Sequence, residues 1–139
     1  MKVLFDSNVI IDALSERDDS NDCSSVLFME AIDYRNIQGY LLSKQITDIY
    51  YVLRKYVAED IRKDFINLLL KTFNVIDTKQ DDLLSSLFVN GNDYEDDILM
   101  NAALINDLDC IVTNNIKNFK KSKIKVFSPT ELAKELKLF

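Results

Sequence analysis

Residues 3–12 read VLFDSNVIID, and the fold turns on how that stretch is divided. Val3, Leu4 and Phe5 are too few for a helix and read as a short buried strand. Val9, Ile10, Ile11, Ala13 and Leu14 supply the apolar side of the helix that follows. Asp6, Ser7 and Asn8 therefore fall at the turn between the two. In an open α/β sheet, ligands bind at the carboxyl ends of the strands. Asp6 or Ser7 capping the helix explains the same residues. On this stretch alone the cap is the better reading.

The strand–helix alternation continues along the chain. SERDDSND (15–22) reads as a polar loop, and a helix from Cys23 to Asn36 follows, with Val26, Leu27, Ala31 and Ile32 as its buried stripe. Gly39 ends that connection, and Tyr40–Ser43 is the second strand. The stretch 46–57 resumes a helical period on Ile46, Ile49, Tyr50, Leu53 and Val57, and 58–73 forms another helix. Asn74–Asp77 is the third strand, with a helix over 81–89 after it. Asn92 and Asp93 open a helix through Asn106, buried on Ile98, Leu99, Ala102, Ala103 and Ile105. Cys110–Thr113 and 124–128 are the last two strands, and SPTE (128–131) starts a final helix with a Ser128 cap, Pro129 in the first turn and Glu131 closing a capping box. Short strands alternating with helices make βαβ units. The expectation is a single α/β domain over 1–139, in three α/β/α layers around a mostly parallel five-stranded sheet.

Composition narrows the chemistry. With 139 residues, 47% of them hydrophobic, and only two Gly and one Pro, the chain is long enough for a substantial core and holds no low-complexity linker. It has no apolar run long enough for a membrane span and no signal-peptide layout, and Cys23 and Cys110 stand isolated. These features fit a reducing cytoplasm. Histidine is absent, which removes histidine general-base chemistry, Ser-His-Asp triads and nearly every zinc hydrolase site. Catalysis would have to rest on carboxylates, amides, hydroxyls and lysines, and carboxylates of this kind suit the hard cations Mg²⁺ and Mn²⁺.

The net charge of −6 is unevenly spread: from Ile116 onward seven Lys face two Glu, while Met1–Asn115 holds ten basic and 21 acidic residues. An acidic average argues against indiscriminate nucleic-acid binding, yet a local basic segment can hold phosphates.

Four places bring polar residues to strand ends or the helix starts behind them. They are Asp6; Asp48, one turn into the helix after YLLS; Asp93, Glu95, Asp96 and Asp97 in NDYEDD; and Thr113, Asn114 and Asn115 after CIVT. Taken singly, each has a local explanation, such as the helix dipole for 93–97 or a turn cap for Asn115. Together they would converge in one crevice of a doubly wound sheet. Carboxylates gathered there repel one another unless a cation lies between them.

LFDSNVIID, SKQITDIYYVLRK, DYEDDILMNAA and CIVTNNIKNF occur in the order and spacing of a PIN domain. Over nearly its whole length the chain resembles the small bacterial and archaeal PIN proteins that act as toxins in toxin–antitoxin pairs. The resemblance implies a Mg²⁺- or Mn²⁺-dependent ribonuclease with an acidic pocket. Asp6 matches the first acidic position and Asn8 the amide that follows it. Asp48 matches the second position, commonly Glu, and Asp96 the third. Asp93 and Glu95 are auxiliary acids, and Thr113 and Asn115 match the Thr and fourth Asp/Asn after strand four. The chain departs from the pattern with Asn114 where many relatives carry Arg, with the uncharged Asn115, and with the shorter Asp48.

On this reading Asp6, Asp48 and Asp96, with Asn115, hold one or two metal ions, and hydrolysis leaves a 5′-phosphate and a 3′-hydroxyl. Lys117, Lys120, Lys121 and Lys123 contact the RNA backbone. Tyr50, Tyr51 and Tyr94 offer stacking faces, although helical spacing makes core the better reading for Tyr50. The partners implied are an RNA, an antitoxin protein and a second copy of the chain. The alternatives are a non-catalytic PIN-fold interaction module, supported by Asn115, and a receiver-like phosphoacceptor domain using Asp77 and Lys125.

Overall fold

A computed structural model describes residues 1–15 and 23–138, so most of the polar loop expected over 15–22 lies outside the described residues. Five strands, β1 (Lys2–Phe5), β2 (Gln38–Leu42), β3 (Asn74–Ile76), β4 (Cys110–Val112) and β5 (Lys125–Phe127), form one sheet in the order β3-β2-β1-β4-β5. All four pairings are parallel, with Val3 beside both Gly39 and Cys110 and Phe5 beside Val112. β1 is central because VLF is buried on both faces, the condition that gives parallel strands unbroken apolar runs.

The helices are α1 (Ser7–Ser15), α2 (Ser24–Ile32), α3 (Ser43–Leu53), α4 (Glu59–Thr72), α5 (Gln80–Ser86), α6 (Tyr94–Ile105) and α7 (Pro129–Glu135). Alternate residues of the strands divide the core in two. Val3, Phe5, Leu41 and Val112 pack with apolar residues of α1, α2, α3, α4 and α7. Leu4, Leu42 and Ile111 face the other way, onto α6 and Phe119. The result is the expected three-layer α/β/α arrangement. Gly39 lies inside β2 instead of ending the connection before it, and a Cβ there would meet Phe73 Cε2 at 2.5 Å. That close approach lets Phe73 stack on Phe28 and set its edge against Phe5.

Other boundaries differ from the sequence expectation for local reasons. Ser43 belongs to α3, because Gln45 Oε1 accepts from Leu42 N at 2.7 Å and draws the helix start forward. In α2 the buried side is rotated toward Leu27, Phe28, Glu30 and Ala31, which leaves Val26 exposed. Glu30 tolerates burial because its carboxylate accepts from Asn36 Nδ2 at 3.1 Å and faces Arg35. In α6 Met100 is buried and Ile105 is exposed. Ser128 does cap α7, accepting from Glu131 N at 3.1 Å. Both cysteines are free. Among the described residues no helix is long and apolar enough to cross a membrane.

Candidate functional site

The sheet order reverses direction between β1 and β4, and at such a switch point the loops leaving two neighbouring strands part to open a crevice. Asp6 directly follows β1, and Thr113 directly follows β4. An open cleft of about 340 Å³ lies here, lined by Asp6, Lys44, Asp48, Tyr51, Glu95 and Asp96 among others. That volume is at the small end of the range for small-molecule sites, roughly 300–1,000 Å³.

Asp6 is held more firmly than a helix cap requires. Its Oδ2 accepts from Thr113 Oγ1 at 2.7 Å and from Asn8 Nδ2 at 3.3 Å. Thr113 is fully buried, and its hydroxyl also accepts from Asn115 N at 3.0 Å. Burial pushes the Asp6 carboxyl up from its usual range, while the Thr113 hydroxyl, the Ser7 backbone N–H and the charge of Lys44 pull it down.

Asp96 enters from the first turn of α6. Asp93 caps that helix, with Oδ1 accepting from Glu95 N at 2.8 Å and Asp96 N at 3.4 Å, so its carboxylate serves the backbone. Asp96 Oδ2 accepts from Asn118 Nδ2 at 3.1 Å. Burial first, and then the charge of Asp6, push the Asp96 carboxyl up to about 6, with Asp93 and Glu95 adding to the rise. The Asp6 carboxylate is thus near enough to Asp96 to disfavour its charge.

Asp48 lines the same cleft from its exposed side: its side chain is 55% exposed and lies 3.8 Å from Lys44 Nζ. The three acids expected to hold a metal therefore share one cleft. Among the described residues, however, no three Asp, Glu, His or Cys side chains come together closely enough to hold a metal ion between them. Glu95 lines the cleft and is exposed. Asn115 does not line it and starts the 3-10 turn Ile116–Phe119 without a side-chain cap bond. Asn114, in the place of the family's common Arg, donates to Asp12 Oδ2 at 2.8 Å and ties α1 to the loop after β4.

The lysines lie elsewhere. Lys117, Lys120, Lys121 and Lys123 are exposed, and none lines the acidic cleft. Lys121 and Lys123 line a second groove with Ser85, Phe88, Asn101 and Leu104. Lys125 is the first residue of β5, in register with Cys110, so it sits at the opposite end of the sheet from Asp6. The phosphoacceptor constellation is therefore not assembled.

Three residues that matter here carried no clear mark in the sequence, and a fourth, Asp97, was marked only as one of the acids of NDYEDD. Lys44 supplies a positive charge inside the cleft. Gln45 is fully buried, and its Nε2 donates to Phe5 O at 2.9 Å and Ser7 Oγ at 3.0 Å, fixing the end of β1. Its position three residues after Leu42, at a helix start, was the available signal. Asn118 reaches Asp96 from 22 residues away, which no local pattern encodes. Asp97, only 6% exposed, accepts from Gly91 N at 3.2 Å and anchors the loop before α6.

An all-oxygen donor set of two repelling carboxylates, with a third on the same cleft and amides and a hydroxyl beside them, suits a hard divalent cation and disfavours softer metals.

Residues 2–117 match the sequence model of the PIN domain. No curated protein matches the chain at a significant level. A toxin–antitoxin complex from Klebsiella pneumoniae contains a chain 23% identical, with 93% of this chain and 98% of that one covered at a TM-score of 0.67. VapBC2 from Rickettsia felis, bound to a DNA fragment from their promoter, is similar at 16% identity, 92% and 98% coverage and a TM-score of 0.67. PAE2754 from Pyrobaculum aerophilum is similar at 18% identity, 100% and 91% coverage and a TM-score of 0.68. At these identities the likeness to solved structures is one of fold.

Proposed function

The chain belongs to the PIN domain family, and from that premise we propose that it is a Mg²⁺- or Mn²⁺-dependent endoribonuclease, the toxin of a toxin–antitoxin pair. The observation that carries the reading is the Asp6–Asp96 pair on one cleft: burial and, after it, the charge of Asp6 hold the Asp96 carboxyl up at about 6, and a divalent cation relieves the part that is repulsion. Asp6 and Asp96 would hold the ion, with Asp48 and Glu95 available on the same cleft and Asn115 as a further donor off its lining. When bound, such an ion activates water and offsets the charge that grows on phosphate.

The chain's own residues do the positioning. Thr113 and Asn8 fix the Asp6 carboxylate, Asn118 fixes that of Asp96, and Asp93 sets the first turn of α6. Lys44 moderates the negative charge, so that a phosphodiester can enter. Lys117, Lys120, Lys121 and Lys123 would hold RNA backbone outside the cleft, since they are exposed and off its lining. Leu84, Leu87 and Phe88, all exposed, offer an apolar face for a protein partner, either the antitoxin or a second copy. A cytoplasmic location goes with this reading, in keeping with two free cysteines.

The Lys44–Asp48 pairing favours a second reading, a PIN-fold module with a weakened site that works by binding. The end groups of RNA fragments decide the chemistry. Cleavage leaving 5′-phosphate and 3′-hydroxyl ends is expected. A 2′,3′-cyclic phosphate would overturn the hydrolytic scheme, and absence of cleavage with intact Mn²⁺ binding would favour the module.

A further inference from the structure

Three tyrosines lie close to the cleft in sequence, and their surroundings separate them. The Tyr50 ring is half-buried in the groove between α3 and α4, with the Arg62 guanidinium 4.8 Å from its centroid. The Tyr94 hydroxyl donates to Leu83 O at 2.6 Å, which fastens the ring to α5. Tyr51 is different. It lines the acidic cleft, is 62% exposed, and its hydroxyl makes no hydrogen bond among the described residues.

Arg54 lies one turn further on. Its guanidinium sits 3.7 Å from the Tyr51 ring centroid, and Nη1 donates to Tyr51 O at 2.8 Å. Ring and guanidinium are thus held together before any ligand arrives. A planar guanidinium with one donor engaged keeps its others for an incoming anion, and one face of the ring remains free of it. Arg54 does not itself line the cleft; the Tyr51 ring, which does, sets this cation beside a wall that bears four carboxylates and Lys44.

We infer that Tyr51 and Arg54 form a subsite for one unpaired nucleobase and its adjoining phosphodiester at the mouth of the acidic cleft. The inference rests on the ribonuclease reading and deepens it, because it assigns the contacts to one base and one phosphate of the substrate to two named residues of α3 and its C-terminal end. The base stacks on Tyr51, and Arg54 takes the phosphate next to it. A duplex base has both faces occupied and cannot use the ring. Specificity here is for an exposed base face, with no hydrogen-bond readout of base identity.

Two measurements test the subsite. Anisotropy of a fluorescein-labelled single-stranded oligoribonucleotide of mixed sequence, in EDTA so that no cleavage occurs, reads binding alone. Tyr51→Ala is expected to weaken it by at least about fivefold, the lower bound for loss of one stacked base. Tyr51→Phe restores it, whereas Tyr51→Leu, which keeps apolar bulk, does not. Arg54→Ala weakens binding and flattens its salt dependence. Steady-state cleavage then assigns the role: Tyr51→Ala raises KM and leaves kcat near wild type.

Wild-type affinity in Tyr51→Ala, or equal affinity of the wild type for duplex and single strand, overturns the subsite and leaves the ribonuclease intact. A wild type that binds single strands through Tyr51 but cuts no RNA overturns the ribonuclease reading and keeps the subsite. A wild type that binds no single-stranded RNA removes the subsite outright. Should the alanine variant lose its circular-dichroism signature, binding by the leucine variant decides between these outcomes.

Discussion

The acidic cleft and the lysine groove carry opposite charge, and the fold treats them in opposite ways. In the cleft, Asp6 and Asp96 are each tethered by a hydrogen bond from another element, and burial raises both carboxyls. In the groove, Lys121 and Lys123 are exposed, and neither side chain makes an ion pair or hydrogen bond among the described residues. Charge that is fixed and partly desolvated costs stability and is kept where position matters. Charge left loose in water acts through its field, at little structural cost. On the proposed function, the cleft is accordingly where chemistry is expected, and the groove is where RNA would be gathered.

The largest expected effect would break that comparison most directly. Asp6→Asn should lower RNA cleavage by about a hundredfold or more, the scale for removing an essential electrostatic group. Measured in the same assay, the double variant Lys121→Ala and Lys123→Ala should stay within a few-fold of wild type. Comparable losses from both would erase the distinction.

Next in size is a stability effect beneath the cleft. Gln45→Ala leaves Leu42 N and Phe5 O without their partner in a fully buried position. A loss of about 2–3 kcal/mol by denaturant titration is expected.

The third concerns pH and sharpens the contrast. Asp96 is raised from 3.8 to about 6 in the folded chain, so folding favours its protonated form. Its contribution to stability is fully present below pH 3.8 and is lost as pH rises through about 6. At neutral pH in EDTA, Asp96→Asn should therefore stabilise the protein, by about 1 kcal/mol once solvent screening of this half-exposed group is allowed for. In thermal melts the midpoint should rise by about 2–5 °C. The gain should vanish near pH 4, where Asp96 is protonated in the folded chain. In the wild type, added Mn²⁺ should raise the midpoint at neutral pH. The smallest effect is expected in the groove: removing Lys121 and Lys123 should flatten the salt dependence of RNA affinity by roughly 1.4 in log–log slope.

The local sequence carried much of this arrangement. VLF reads as a central strand because parallel strands buried on both faces need unbroken apolar runs, and the Asp93 and Ser128 caps announce their helices. The groupings that failed were those set by the angle between elements. Val26 and Ile105 satisfy helical spacing, yet α2 and α6 turn a slightly different side to the sheet. Asp6, Asp48 and Asp96 reach one cleft as the alternation of strands and helices implied. The lysines just past Asn115 do not line it, because the 3-10 turn and β5 carry that segment toward α5 and α6. The charge that does oppose the acids, Lys44, comes from α3, where the helical pattern marks only the buried side.

The central claim is that Asp6 and Asp96 form a metal-dependent ribonuclease site. Incubating a mixed RNA pool with purified protein in Mg²⁺, Mn²⁺ or EDTA, beside Asp6→Asn and Asp96→Asn, tests it most directly. Cutting that requires the divalent ion and that both substitutions abolish is the predicted result. Cutting that persists in EDTA, or in either variant at the wild-type rate, would contradict it.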